Sequence, residues 1–303
     1  MIDISLIGTG GMVPLHDRFL TSMAARLNGS MLLIDCGEGT QITLKQLGWG
    51  FKRLDYICIT HFHADHISGL PGLLLTVGNS GRTEPMTIVG VAGIRNVAEH
   101  LRIIAPELPF EINYIEIKTQ MSYKLGEYNL SALPLDHRIN CVGYSLNITR
   151  VGKFDTDKAK KLNIPVKSWS KLQNGEKINY DNITYTPDMV LGPERKGIKI
   201  AYITDTRPID AIPEFISDSD LFICEGLYGD DEKKASATEK NHMVFSEAAE
   251  LAKKGGVKEL WLTHYSPAMT APEDYIGFAR DIFPNTKAGY DRMTAVISFD
   301  KSE

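Results

Sequence analysis

The chain has 303 residues, 43% hydrophobic and 23% charged, with a formal net charge of −5. That is ordinary globular composition with apolar area for a sizeable core, and the acidic balance excludes a protein that coats nucleic acid over its whole surface. No run approaches the roughly 18 apolar residues of a membrane span, and MIDISLIGTGG lacks the basic and unbroken apolar regions of a signal peptide, so a cytoplasmic protein is expected.

In chain order, strands are expected at Ile2–Ile7 and Met31–Asp35, with Gly8-Thr9-Gly10-Gly11 as a tight turn between them. GTGG is not GxGxxG and lacks the lysine of a phosphate-binding loop, so a nucleotide site is not read there. The strand YICIT then runs directly into Thr60-His61-Phe62-His63-Ala64-Asp65-His66. A helix is expected to open at Asp65-His66 and continue through LPGLLL, despite Pro71 and Gly72. The run LSALPL precedes Asp136-His137. Between Arg150 and Lys177 lie eight basic and three acidic residues, a segment of net +5 that leaves −10 for the rest of the chain. Within it, Trp169 offers a ring on which a base could stack. IKIAYIT precedes Asp205, LFIC precedes Glu225, and ELWLT precedes His264. A helix is read over His242–Lys254, with Val244, Ala248, Leu251 and Ala252 on one face and Gly255-Gly256 as its stop. The four cysteines (Cys36, Cys58, Cys141, Cys224) have no CxxC spacing and are expected as reduced, buried thiols. The coarse picture is two mixed sheets with helices outside, in one domain over residues 1–303.

Five apolar runs ending in polar groups deliver those groups to one edge of a sheet, and this carries the chemistry. Three histidines and a carboxylate within six residues would each need a buried partner in a core, but make sense as metal ligands. A two-cation hydrolytic site needs an anionic bridge. Of the eight histidines, five (61, 63, 66, 137 and 264) belong to the cluster or to strand ends. The reading is therefore His61, His63 and His137 on one ion, Asp65, His66 and His264 on a second, and Asp205 between them, with His16 and His100 outside. Imidazole and carboxylate without thiolate suit zinc, with manganese and iron left open.

HxHxDH followed by GLPGLL, with the downstream ligands in this order, resembles the metallo-β-lactamase superfamily. SLIGTGG, LLIDCGEGTQ, LDHR, VLGPERKGIKIAYITDTRP, NHMVFSEAAELA and LWLTHYSP extend the resemblance nearly end to end and narrow it to the ribonuclease Z family. The resemblance implies a four-layer αβ/βα sandwich, two zinc ions, a homodimer, and an endonuclease that removes the 3′ trailer of precursor tRNA. It also implies that His242 and Glu225 act together as proton donor, while Asp65 both ligates and orients the nucleophile. Residues 150–177 fall where the family carries its substrate arm, which makes Lys158, Lys160 and Lys161 candidate RNA contacts. Two features depart from the family: Val166-Lys167-Ser168-Trp169 stands where a Gly-Pro stretch is usual, and THYSPAM lacks an expected basic residue. The alternative is a small-molecule phosphodiesterase or another hydrolase of the superfamily.

Overall fold

The structure is a computed structural model that describes residues 1–118 and 122–300. The chain divides into two compact units, residues 1–147 with 199–297, and residues 148–198 with the tail from Ser298. Among the described residues no helix is long and apolar enough to cross a membrane.

The first unit opens with β1 (Ile2–Gly8), β2 (Ser22–Leu27), β3 (Ser30–Ile34), α1 (Thr40–Leu47) and β4 (Leu54–Ile59). It continues through α2 (Ala64–Ile67), α3 (Leu70–Asn79), β5 (Met86–Gly90), α4 (Ile94–Leu101) and β6 (Ile112–Glu116). Then come β7 (Ser122–Leu125), β8 (Tyr128–Pro134) and β9 (Val142–Arg150), whose last residues enter the second unit. The second unit contains α5 (Thr156–Lys161), α6 (Trp169–Gln173) and the hairpin of β10 (Ile178–Tyr180) with β11 (Ile183–Tyr185). The chain returns along β12 (Arg195–Ile203) to α7 (Ala211–Phe215), β13 (Leu221–Glu225), α8 (Lys234–Lys240) and α9 (Phe245–Gly255). It ends with β14 (Leu260–Thr263), α10 (Ile276–Arg280), β15 (Thr286–Ala288) and β16 (Thr294–Ile297).

Two seven-stranded mixed sheets result, ordered β16-β1-β2-β3-β4-β5-β6 and β15-β14-β13-β12-β9-β8-β7. With their flanking helices they form the expected αβ/βα sandwich. Strands β3 to β6 run parallel, as do β12 to β15. Parallel strands covered on both faces read as continuous apolar runs, which is why ICI, LFIC and LWL are so uniformly hydrophobic. One core packs Leu33, Ile57, Ile59, Leu73, Leu74 and Val77 under the first sheet. Another packs Ile203, Phe222, Cys224, Phe245, Ala248 and Leu262 under the second. All four cysteines are buried free thiols.

Three local readings change. GTGG does not join the first strand to Met31–Asp35, because β2 intervenes; SMAARL is buried almost throughout, so it carries no polar alternation to betray a strand. The helix after His63 is two helices, broken at Ser68-Gly69, where the Gly69 amide donates to Cys36 O at 2.9 Å. A side chain at Gly69 would press on the Gly37 carbonyl at 2.2 Å, so close backbone approach requires glycine here. Finally, α9 begins at Phe245; His242 sits on the connector before it, and the Glu247 carboxylate accepts the Val244 amide at 3.2 Å.

The second unit has a small core of Ala159, Ile164, Leu172, Ile178, Tyr185 and Val190. Trp169 belongs to it: its Nε1 donates to Ile164 O at 3.0 Å and its ring lies 5.4 Å from that of Phe154. Its indole is thus engaged within the unit. Lys158, Lys160 and Lys161 are exposed.

Candidate metal centre

Ligands gather outside the carboxyl ends of parallel strands, where the backbone stops pairing and side chains project into one crevice. Here β4 ends before Thr60-His61, β12 before Thr204-Asp205, β13 at Glu225 and β14 before His264. The antiparallel β8 adds Asp136-His137 from the same sheet as the last three. Asp205 and His264 have φ of 43° and 59°, and so does Asp35 (59°) at the end of β3. Left-handed backbone is uncommon outside glycine, and it turns each chain sharply at its strand end, the kind of local cost that collects at functional sites.

The seven expected ligands converge. His61, His63, His137 and Asp205 form one group of mutually close donor atoms, and Asp65, His66 and His264 form another. In the first, His63 Nδ1 lies 3.0 Å from His61 Nε2 and 3.2 Å from His137 Nε2. In the second, His264 Nε2 lies 3.2 Å from His66 Nε2 and 3.3 Å from Asp65 Oδ2. Asp205 addresses both: Oδ2 is 3.5 Å from His61 and 3.7 Å from His137, while Oδ1 is 3.2 Å from both His66 and His264. A carboxylate that divides its oxygens between two histidine groups has the geometry of a bridge. His16 and His100 are exposed and belong to neither group.

The outer contacts fix the rings. His66 Nδ1 meets Asp35 Oδ2 at 2.8 Å, and Asp35 also accepts the Thr60 amide at 2.8 Å. His61 Nδ1 meets Thr60 Oγ1 at 3.0 Å. Such partners set the imidazole tautomer and raise its basicity toward a cation. Gly11 closes one side, since a Cβ there would meet His264 Cε1 at 2.7 Å, and the Met12 amide donates to Asp65 Oδ2 at 2.7 Å. The GTGG turn is therefore part of the site's wall.

The electrostatics suit a divalent cation. Burial, with the charge of neighbouring histidines, lowers His61 and His63, and burial first of all lowers His137 to about 4. These imidazoles are neutral with free lone pairs, the form that ligates. Burial would raise Asp205 and Asp65, but the surrounding histidines outweigh it and hold both ionised. Burial would likewise lower His66, yet Asp205 and Asp35 on either side raise it well above its ordinary value. Without a cation, a proton on His66 is what screens the buried carboxylates. Buried nitrogens facing one another at about 3 Å, with His264 Nδ1 lacking a hydrogen-bond partner among the described residues, are poorly satisfied by protein alone. The residues fit divalent-metal binding.

His242 Nδ1 lies 3.1 Å from both oxygens of Glu225, which is fully buried and also accepts the Thr206 amide at 2.7 Å and the Met243 amide at 3.2 Å. Burial would lower His242, but the Glu225 charge and hydrogen bond raise it to about 9. The other nitrogen, Nε2, faces the cluster 4.0 Å from Asp205 Oδ2, and Asp205, His242 and His264 form a third close group. Asp35 was not among the residues expected from sequence. LLID has the same strand-end form as the other ligand positions, so a signal was present.

The family described as "Anti-Pycsar protein Apyc1" matches residues 2–171, and "Beta-lactamase superfamily domain" matches residues 150–265. A ribonuclease Z from Lachnoclostridium phytofermentans is 53% identical over 304 residues, covering 100% of both chains. One from Lachnospira eligens is 54% identical over 301 residues, covering 99% of each. Among solved structures, the short form of human tRNase Z superposes with a TM-score of 0.72 at 24% identity, covering 98% of this chain and 100% of that one.

Proposed function

The chain belongs to the ribonuclease Z family, and on that premise we propose that it is a metal-dependent endoribonuclease that removes the 3′ trailer of precursor tRNA. The observation that carries the reading is full-length identity above half to ribonucleases Z, in a chain whose seven expected ligands converge. We assign His61, His63 and His137 to one zinc ion, Asp65, His66 and His264 to a second, and Asp205 to both.

Divalent cations held there would neutralise the phosphodiester and lower the pKa of water towards neutrality. The chain's own residues do the rest. Asp65, anchored by the Met12 amide and His264, has a carboxylate oxygen at the cluster to accept and orient the proton of the attacking water. His242 is the proton donor, since Glu225 raises its imidazole and fixes Nδ1, leaving Nε2 to face the crevice. Water oxygen bonds to phosphorus, the bond to the 3′ oxygen breaks, and His242 Nε2 gives that oxygen its proton. The upstream RNA keeps a 3′-hydroxyl and the trailer carries a 5′-phosphate.

Lys158, Lys160 and Lys161 in the second unit would contact the tRNA backbone, as phosphate contacts need only exposed cations. A cytoplasmic homodimer is the form in which we expect it to act. Incubating the purified protein with 3′-extended precursor tRNA and with bis-p-nitrophenyl phosphate tests the proposal. Cleavage leaving a 3′-hydroxyl at the trailer junction supports it. Rapid hydrolysis of the small diester with untouched precursor would instead identify a small-molecule phosphodiesterase.

A further inference from the structure

We infer that Arg207 and Glu247 form a positioning pair that aims the His242 imidazole, an inference that rests on the proton-donor role proposed above. His242 lies outside regular structure, on the four-residue connector between α8 and α9. Asn241 there is left-handed (φ 60°) and Val244 is extended (φ −95°, ψ 166°), so no helix ladder holds the His242 carbonyl. Arg207 holds it: Nη1 donates to His242 O and, at 3.0 Å, to Glu247 Oε2, while Nη2 donates to Glu247 Oε1. Glu247 in turn accepts the Val244 amide at 3.2 Å, so the Arg207–Glu247 pair grips the connector on both sides of Met243.

Three consecutive residues after β12 therefore organise the crevice. Asp205 faces both histidine groups, the Thr206 amide binds the carboxylate that holds His242 Nδ1, and Arg207 binds the His242 backbone. The segment is itself tied to the His137 strand, as the Asp136 amide donates to Thr206 Oγ1 at 3.0 Å and the Arg207 amide to Asp136 O at 3.1 Å. The imidazole is thus fixed at its ring by Glu225 and at its backbone by Arg207. A proton donor must sit within hydrogen-bond reach of the leaving oxygen, and a shift of about 1 Å can cost 10²-fold in rate. Arg207 is not a phosphate grip, because its fork is already neutralised by the carboxylate of Glu247, which is 6% exposed. Lysine keeps the charge but cannot donate from two nitrogens in one plane.

Leaving-group dependence separates this role from mere folding. Methyl aryl phosphodiesters ranging from p-nitrophenol to phenol need progressively more proton donation as the phenol becomes more basic. In the zinc-loaded enzyme, Arg207→Lys and Glu247→Gln should each slow release of phenol about 10–10²-fold and release of p-nitrophenol less than about threefold. Zinc content by elemental analysis and the far-UV dichroism should match wild type. An unchanged leaving-group slope overturns the pair's positioning role, as does an equal loss on every ester accompanied by lost zinc. Wild-type cleavage of precursor tRNA, run alongside, tests the substrate proposal separately, since the ester slopes do not depend on it.

Discussion

Replacing Lys158, Lys160 and Lys161 together with alanine asks whether the second unit grips RNA. All three side chains are exposed. Lys158 lies 3.7 Å from Asp155 and Lys160 lies 3.8 Å from Asp157, while Lys161 has no ion pair within 4.0 Å among the described residues. Exposed pairs of this kind contribute only about 0.2–1 kcal/mol, so neither aspartate competes seriously with a phosphate. Helix α5 should survive the change, because its cap is the Asp155 carboxylate accepting the Asp157 and Lys158 amides at 3.1 and 2.9 Å, and alanine is the best helix former. If each lysine neutralises one duplex phosphate, the salt slope of log affinity falls by about 0.9 per contact, roughly 2.7 in all. Between about 50 and 200 mM salt that slope corresponds to roughly a 40-fold change, which is how much the wild type's advantage should shrink. The assay is kcat/KM for precursor tRNA over a potassium chloride series, with bis-p-nitrophenyl phosphate as a control that should barely respond. Parallel salt slopes for wild type and triple variant would refute the reasoning and leave the basic segment as a solvated face.

Loaded with zinc, His242→Ala should retain the metal and lose about 10²–10⁴-fold in kcat on precursor tRNA; metal lost along with activity would make His242 a ligand, consistent with its place beside Asp205 and His264. Zinc binding near neutral pH should release protons, principally from His66, whose raised value keeps it protonated in the metal-free protein. Affinity should therefore weaken as pH falls, and calorimetry in buffers of different ionisation enthalpy that finds no release would contradict that charge state. Trp169→Ala should destabilise residues 148–198 by about 3 kcal/mol, at the low end for a truncated aromatic because the ring is half-buried. Limited proteolysis should then cut that unit selectively, with Trp169→Phe largely protected. Weakened tRNA binding without any new cleavage would mean that the indole works on RNA instead.

Much of the site was legible because its logic is local. A short apolar strand ends, and a histidine or a carboxylate stands at its last residue or within three residues beyond it; this holds for His61, His137, Asp205, Glu225 and His264. Parallel strands share one carboxyl edge, so groups at their ends converge whatever the intervening chain does. The histidines could be partitioned for the same reason, since Asp65 and His66 are one helical step past His61 and His63 and so face a different point. Composition also settled the redox state of the cysteines, which are all buried and free.

What the tertiary structure decided was every contact made across distance by a residue with no pattern of its own. Asp35 meets His66 across 31 positions and Arg207 meets Glu247 across 40. Neither pairing leaves a periodicity in sequence, because each joins a residue just past a strand to one on a helix elsewhere in the chain. Strand β2 escaped notice because burial on both faces erases alternation. The break at Ser68-Gly69 arises only where the Cys36–Gly37 backbone comes within hydrogen-bonding distance. That Trp169 packs beside the Phe154 ring and donates to the Ile164 carbonyl was likewise set by the folding of its own unit. Local sequence can state which groups a strand delivers; which side chains then hold them still is decided by the packing of segments far apart in the chain.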